Sequence, residues 1–336
     1  MRIEQNFSLE HYNTFHLPVQ TRWFMEYDDE RELERILRDE YFQELPSLHI
    51  GSGSNLLFLD DFNGIVLHSA IRGIEPVRET DDAVWLHVGA AETWDHVAAR
   101  AADNGWGGIE NLSLIPGETG AAAVQNIGAY GVEIKDVIES VEAYLPTGEK
   151  RVFTNEACRY GYRDSYFKDE SHAPCIITCV TLRLARKPVF NLAYGNLKEL
   201  LADSVPLTVA KVREAIIRIR REKLPDPDQL SNAGSFFVNP AVSQEQFNRM
   251  KQDYPSMPFH PLQDGRMKLS AGWLIEQCGF MGKRAGATGV YDRQALVIVN
   301  YGGATGHEIA LFAERIREAV YQRFGVILTP EVKYIS

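Results

Sequence analysis

Hydrophobic positions along the chain recur with two periods, about 3.6 residues and about 2, and the switches between them mark the elements. From Glu30 to Glu40 the chain is charged, with Leu33, Ile36 and Leu37 at helical spacing, which predicts a surface helix. Ser47-Leu48-His49-Ile50 predicts a short strand, Gly51 to Asn55 a glycine turn, and Leu56 to Leu59 a second extended or short helical element. Ile65-Val66-Leu67 and Val84 to Val88 read as strands. Thr93 to Asn104 reads as a helix with Gly105 as its cap. Strands are predicted at Val137 to Tyr144 and Cys175 to Leu184, with a short one at Lys150 to Phe153. A helix is predicted from Thr208 to Lys223; Val212, Ile216 and Ile219 form its apolar face, Arg213, Arg220 and Lys223 lie elsewhere, and Pro225 and Pro227 stop it. Another starts at Thr305, where Thr305 and Glu308 have capping-box spacing; Ile309, Phe312, Ile316 and Val320 form its stripe and Gly325 ends it. Val326 to Ile335 alternates as a strand, with Ile327, Thr329, Glu331, Lys333 and Ile335 on one face. The class is α+β, with antiparallel and mixed sheets.

The 336 residues are long for one hydrophobic core and imply two or three domains. A net charge of −11 argues against nucleic acid as partner, while a few local cations still suffice for an anionic ligand. The polar start Met1-Arg2-Ile3-Glu4 lacks the apolar core of a signal peptide, and no apolar run reaches membrane-spanning length. A cytoplasmic protein without membrane insertion is expected. Cys158, Cys175, Cys179 and Cys278 form no C-x-x-C pair and are expected as buried reduced thiols. The histidines are dispersed, so no metal is expected.

Five segments carry candidate chemistry. In Asn232 to Pro240, Ser235 places a hydroxyl between Gly234 and two phenylalanines; it is either a loop serine beside core rings or a proton donor in a dry site. The turn Gly51-Ser52-Gly53-Ser54-Asn55 reads G-x-G without a third glycine, which suits a plain tight turn or a phosphate nest better than a Rossmann fingerprint. Residues 113–131 are dominated by small side chains, fitting close packing or backbone laid against a dinucleotide; Gln125, Asn126 and Tyr130 add polar contacts. Arg163, among Tyr160, Tyr162 and Tyr166, is either a structural loop arginine or a bidentate partner for carboxylate or phosphate. Glu331, after Pro330, is either solvated or functional.

These segments occur together in one pattern. Asn13-Thr14-Phe15, Gly51 to Leu57, Ile115-Pro116-Gly117, Gln125 to Gly131, Gly161 to Ser165, Lys223-Leu224-Pro225, Asn232 to Phe237, Ala271 to Ile275 and Pro330-Glu331-Val332 run in the order of one family. The chain resembles the UDP-N-acetylenolpyruvoylglucosamine reductases, the MurB flavoproteins of bacterial peptidoglycan synthesis, over nearly its whole length. The segment Leu192 to Leu197 resembles the tyrosine loop of the family's first type.

The resemblance implies a flavin-binding fold of the vanillyl-alcohol-oxidase-like type. Its first subdomain would comprise residues 1–70 with 326–336 and its second 71–205, followed by a substrate-binding domain at 206–325. FAD would be held non-covalently, since residues 51–55 hold no histidine to tether it, by Gly51, Ser52, Gly53, Ser54, Asn55, Ile115, Pro116, Gly117, Gly120, Ala121, Gln125, Asn126, Gly128 and Ala129. Tyr130, Tyr162, Tyr194, Lys223, Asn239 and Gln294 would contact the UDP-sugar, Tyr194 closing over it. The implied reaction passes a hydride from NADPH to FAD and then to C3 of the enolpyruvyl group. Arg163 would hold the carboxylate and stabilise the enolate. Glu331 would hydrogen-bond the same intermediate, best as a neutral acid, since a second negative charge would oppose the enolate. Ser235 would protonate C2. Ala121 to Ala123 stand where related enzymes often have serine, Val238 where some have lysine, and Lys333 where arginine often occurs. A monomer is expected. A flavin-dependent carbohydrate or alcohol oxidase of the same fold, or a non-catalytic UDP-sugar-binding flavoprotein, are the alternatives.

Overall fold

The computed structural model describes residues 1–169, 171 and 174–336. The chain divides into two compact units, one of residues 1–7, 21–52 and 63–222, the other of residues 8–20, 53–62 and 223–336.

The first unit holds two larger sheets. One orders its four strands as Arg2–Ser8, Gln20–Tyr27, Phe62–Ser69 and Ser47–Ile50. Ser47–Ile50 runs parallel to Phe62–Ser69, with Ile50 opposite His68. The helix Glu30–Arg38 starts where the Asp29 carboxylate accepts from the Glu32 amide at 2.8 Å. It buries Leu33 and Ile36 against Met25, Tyr27, Ile65, Leu67, Tyr144 and Ile176. The other sheet has five antiparallel strands in the order Lys150–Thr154, Ile138–Tyr144, Ile176–Ala185, Ala83–Gly89 and Ile74–Glu79.

Ala83–Gly89 is buried along almost its whole length because both faces are covered. Val84, Leu86 and Val88 pack with Trp94, Val97, Ala98 and Ala101 of the helix Trp94–Asp103 and with Ala122 and Ala123 of the helix Thr119–Gln125. On the opposite face the guanidinium groups of Arg78 and Arg183 lie 4.3 and 5.4 Å from the Trp85 ring. Small residues let the helix Thr119–Gln125 approach the sheet: a Cβ on Gly120 would fall 2.9 Å from that of Ala90. The alanines at 122 and 123, where hydroxyls were expected from the family, therefore belong to the core, while Ala121 is exposed.

The second unit has a four-stranded sheet in the order Ser231–Ser235, Val297–Asn300, Thr288–Val290 and Arg284–Ala285. A three-stranded sheet orders Ala241–Val242, Met267–Leu269 and Phe259–Pro261. Lys333–Ile335 pairs in parallel with Leu56–Phe58, so the Leu56 run is extended rather than helical. The helix Gly306–Phe324 has the predicted capping box, with Thr305 Oγ1 accepting from the Glu308 amide at 3.2 Å and Glu308 Oε2 from the Thr305 amide at 2.8 Å. Gly325 ends it at φ 62°.

The strand expected over Val326 to Ile335 is shorter. Only Lys333–Ile335 is strand, and Pro330 makes a single bridge to Phe237. Proline has no N–H to extend a ladder. The alternation that suggested a strand is present as burial, with Val326 and Leu328 inside and Ile327 exposed. Among the described residues no helix is long and apolar enough to cross a membrane.

One contact sets the seat of the long helix. A Cβ on Gly306 would lie 1.8 Å from the Phe58 carbonyl oxygen, which is backbone and has no rotamer to yield. Gly306→Ala is expected to destabilise the protein by about 2–3 kcal/mol, read as a lower urea midpoint at unchanged slope. An unchanged midpoint would show that the helix can shift away from the strand without cost.

Candidate active site

Two backbone-rich turns meet within the first unit. The strand Ser47–Ile50 ends at Gly51, and a Cβ there would sit 2.8 Å from Glu118 Oε2. Glycine is therefore what allows the first turn to lie against residues 115–129. Ser52 stays half-buried beside it. Ile115 and Gly117 are half-buried and Pro116 is exposed, so this second turn also presents its backbone. Gly53, Ser54 and Asn55 belong to the second unit, where Gly53 (φ 67°) abuts the Tyr12 carbonyl, with room for hydrogen alone.

Asn126 organises the far end of the small-residue segment. It is fully buried, adopts a left-handed conformation at φ 45° and ends the helix Thr119–Gln125. Its Nδ2 donates to Glu133 Oε2 at 3.0 Å and to the Gly161 carbonyl at 2.7 Å, and its Oδ1 accepts from the Lys135 amide at 3.2 Å. The Asn126 side chain thus serves the chain's own backbone and the Glu133 carboxylate, while Gly128 and Ala129 beside it remain half-buried. Gln125 is half-buried next to it.

Arg163 lies on the same node. Its backbone is left-handed (φ 56°), a state that costs a non-glycine residue about 1–2 kcal/mol. Two contacts hold it there: Gly161 and Asp164 exchange backbone hydrogen bonds of 2.9 and 3.2 Å, and Ser165 Oγ donates to the Val124 carbonyl at 2.6 Å. Arg163 Nη2 donates to the Gly128 carbonyl at 2.8 Å, and the guanidinium carbon is 5.9 Å from the centre of the exposed Tyr162 ring. A guanidinium oriented by its own backbone on one edge is suited to bind a planar anion on another.

A second cationic group is absent from the sequence-level expectations. Arg213 makes a two-pronged ion pair with Asp95 at 2.5 and 2.9 Å. The same carboxylate oxygen that takes Arg213 Nη1, Oδ1, also accepts the Leu114 amide at 2.5 Å, and Arg220 Nε donates to the Leu114 carbonyl at 3.2 Å. Leu114 is left-handed at φ 59°, so two charged side chains grip the strained residue that precedes Ile115-Pro116-Gly117. Burial depresses Arg220, and so does nearby Arg163, whereas Tyr130 and Asp95 favour its charge. Burial pushes the Tyr130 phenol up against the influence of Arg220. Tyr130 packs edge-on against the exposed Tyr194 ring at 5.7 Å. Asn111 fixes the base of that pair, donating to the Tyr130 and Asn191 carbonyls at 2.9 Å each. Arg213 and Arg220 read as a solvated helix face in sequence; only the helix's contacts on two sides reveal them.

In the second unit Ser235 ends the strand Ser231–Ser235, opposite Val297. Gly234 has φ 69° with open space around a would-be Cβ, so conformation and not crowding requires glycine. Phe236 and Phe237 are buried, and Ser235 is half-buried. The Glu331 amide donates to the Phe236 carbonyl at 2.8 Å and the Val238 amide to the Thr329 carbonyl at 3.0 Å. Asn55 Nδ2 donates to the Glu331 carbonyl at 3.1 Å. The peptide carrying Ser235, the segment carrying Glu331 and the end of the first turn are thereby linked. Asn239 Oδ1 accepts the Ala271 amide at 2.9 Å, and Gln294 Oε1 lies 3.2 Å from a would-be Cβ on Gly272, bringing both residues to the start of the helix Ala271–Gln277. Lys223 is exposed at the end of Val209–Lys223.

The residues fit a dinucleotide. Bare backbone at Gly51, Gly117 and Gly128, partly open to solvent, together with Arg163, offers what a flat ring and a diphosphate require. Among the described residues one group also brings metal-type atoms within 4.8 Å of one another: His87, Glu142 and Cys179. Lys150 Nζ, 2.7 Å from Glu142, already supplies its cation, and burial pushes the Cys179 thiol up to about 12. The four cysteines are unbridged; Cys278 is half-buried rather than buried.

Burial opposes the charge of Asp95, but the hydrogen bonds from Arg213 and the Leu114 amide outweigh it and hold the carboxyl below its ordinary value. A carboxyl with a depressed folded value adds stability above its unfolded value and loses it as pH falls through the folded one. Asp95→Asn is expected to cost about 2–3 kcal/mol at neutral pH. The gap to the wild type should close in acid, as urea unfolding at both pH values will read. A gap independent of pH would mean that the ion pair contributes nothing.

The C-terminal domain of UDP-N-acetylenolpyruvoylglucosamine reductase matches residues 226–335, and an FAD binding domain matches residues 22–154. A UDP-N-acetylenolpyruvoylglucosamine reductase of Porphyromonas gingivalis is 51% identical over all of both chains. One from Pseudomonas aeruginosa is 45% identical over 98% of each. The crystal structure of the Thermus caldophilus enzyme aligns over 100% of both chains with a TM-score of 0.71 at 25% identity. Matched along its full length by relatives of this identity, the chain belongs to the UDP-N-acetylenolpyruvoylglucosamine reductase family.

Proposed function

We propose that this protein reduces UDP-N-acetylenolpyruvoylglucosamine to UDP-N-acetylmuramate with NADPH, in peptidoglycan precursor synthesis, as a cytoplasmic monomer. Bound FAD would supply hydride transfer from NADPH to C3 of the enolpyruvyl group. We assign the flavin, held without a covalent tether, to the turn Gly51 to Asn55 and to residues 115–129. Residues 1–70 with 326–336 and 71–205 form its two subdomains in this reading, and 206–325 the substrate domain.

The chain's own residues manage the charge that hydride addition creates. Arg163, braced by the Gly128 carbonyl, binds the substrate carboxylate and stabilises the enolate. Glu331 acts as a neutral hydrogen-bond donor to the same group. Ser235 gives its proton to C2; the hydroxyl is a weak acid, but the enolate is a strong base and the rigid strand end fixes the approach. Tyr130, Tyr162, Tyr194, Lys223, Asn239 and Gln294 hold the UDP-sugar. The observation that most supports this reading is the backbone bond from the Glu331 amide to the Phe236 carbonyl, which ties the terminal glutamate to the serine-bearing peptide.

Anaerobic stopped-flow separates the two halves. Ser235→Ala should leave flavin bleaching by NADPH within about threefold and slow reoxidation by the enolpyruvyl sugar by about 100-fold or more. Equal slowing of both halves would remove Ser235 as proton donor. Glu331→Gln should keep more turnover than Glu331→Ala, because the amide still donates; the opposite ranking would rule out a neutral donor. Absence of bleaching in a flavin-loaded wild type would overturn the reductase reading.

A further inference from the structure

A carboxylate stands where the flavin reading places a diphosphate. Glu118 follows Ile115-Pro116-Gly117 directly, and its Oε2 is the atom that would meet a Cβ on Gly51. An uncompensated negative charge against a phosphate-holding turn would weaken binding of the dinucleotide by direct repulsion. Glu118 is, however, only one end of a buried chain of charges within the first unit. Its Oε1 lies 3.3 Å from His68 Nε2, and His68 Nδ1 lies 3.0 Å from Glu26 Oε2. The three side chains are 14%, 11% and 26% exposed.

The sheet fixes this geometry. Ile50, the residue before Gly51, is the strand partner of His68, so the imidazole sits one pairing away from the turn. Phe24 stacks on the ring at 6.2 Å. Burial opposes a charge on His68, but the hydrogen bonds and charges of Glu118 and Glu26 prevail and hold its proton affinity above the ordinary value. His49, whose Nε2 lies 2.8 Å from the Tyr27 hydroxyl, is driven the other way to about 3 by burial and by the charge on His68. Tyr27 is pushed up by burial and stays neutral. Glu26 and Glu118 thus favour the charged form of the ring, while His49 and Tyr27 beside it are held toward their neutral forms.

We propose that His68, as an imidazolium between Glu26 and Glu118, is a positioning residue that cancels the Glu118 charge beside Gly51 and so lets the turn accept the diphosphate of FAD. This rests on the flavin reading above. Two halves of the cradle are joined by it, since His68 belongs to the strand Phe62–Ser69 and Glu118 to the segment ahead of the helix Thr119–Gln125. Because the raised group is a base, its contribution is complete at low pH and is lost as pH rises through the folded value.

The test follows FAD released on dilution of the flavin-loaded full chain, by its fluorescence, from about pH 6 to about pH 9. Wild-type affinity should fall about tenfold across that range. His68→Asn should bind about tenfold more weakly than wild type at the acid end and show no slope. Glu118→Gln should bind tightly with no slope, and adding Glu118→Gln to His68→Asn should restore affinity to within about threefold. Rescue by removing the opposing charge is an outcome that a merely structural histidine would not give. A wild-type slope retained in His68→Asn, or no rescue in a double variant of normal thermal stability, would overturn the proposal. If asparagine at 68 prevents folding, Glu118→Gln alone decides, and a surviving slope refutes the idea. A wild type that holds no FAD at any pH fails the flavin reading itself, whereas tight, pH-independent binding fails only the role of His68.

Discussion

The buried amide of Asn126 is the constraint on which the first unit's chemistry depends. A side chain with no exposure must satisfy both donor and acceptor internally, and Asn126 does so with Glu133, Gly161 and Lys135. Those partners belong to two separate stretches of chain, 133–135 and 161. Fixing them fixes where the helix Thr119–Gln125 ends, where the short hairpin Gly128–Ala129 to Val132–Glu133 starts, and where the tight turn carrying Arg163 lies. The Gly128 carbonyl is then in place to orient the Arg163 guanidinium. Its left-handed backbone is tolerated because the neighbouring bonds over-determine it.

The same logic of backbone held by charge recurs at Leu114. Asp95 takes its amide and Arg220 its carbonyl, and the turn that follows inherits a fixed direction. In both places a strained residue precedes or flanks bare backbone, and the polar side chains around it point inward to the peptide groups. Close approach supplies the rest: Gly120 against Ala90, Gly51 against Glu118 and Gly306 against Phe58 leave no room for a methyl group. The unit's core is conventional, with aromatic and branched side chains covering a twisted antiparallel sheet.

Much of the fold is legible in the sequence because it is local. Helical spacing at Leu33 and Ile36, the capping box of Thr305 and Glu308, and the proline stop after Lys223 each act within a few residues. Illegible features depend on distant partners. Alternation over Val326 to Leu328 reports burial, which is the same signal a strand gives, and only Pro330 hints that no ladder forms there. Arg213 and Arg220 look like solvated charge until Asp95 and Leu114, more than a hundred residues earlier, come against them. Asn126 reads as a ligand contact in sequence, since an asparagine in a glycine-rich stretch does not reveal which backbone it will serve. Ser235 and Glu331 were legible as candidates from their neighbours, but their roles only through resemblance, and their tie is a backbone bond that no side-chain pattern encodes.

The parallel pairing of Lys333–Ile335 with Leu56–Phe58 has a consequence for how the chain is made. Leu57 and Phe58 are wholly buried in the folded molecule, and the strand that pairs with them lies far later in the chain, beyond the residues of the first unit. During synthesis an apolar strand edge must therefore wait while the first unit, whose last residue is Glu222, can already collapse. Closing so long a loop is slow, because its entropy is lost before the contacts that repay it form. The second unit thus completes only after Lys333–Ile335 has been made, and until then Leu56 to Phe58 is an apolar edge open to mispairing or to capture by a chaperone.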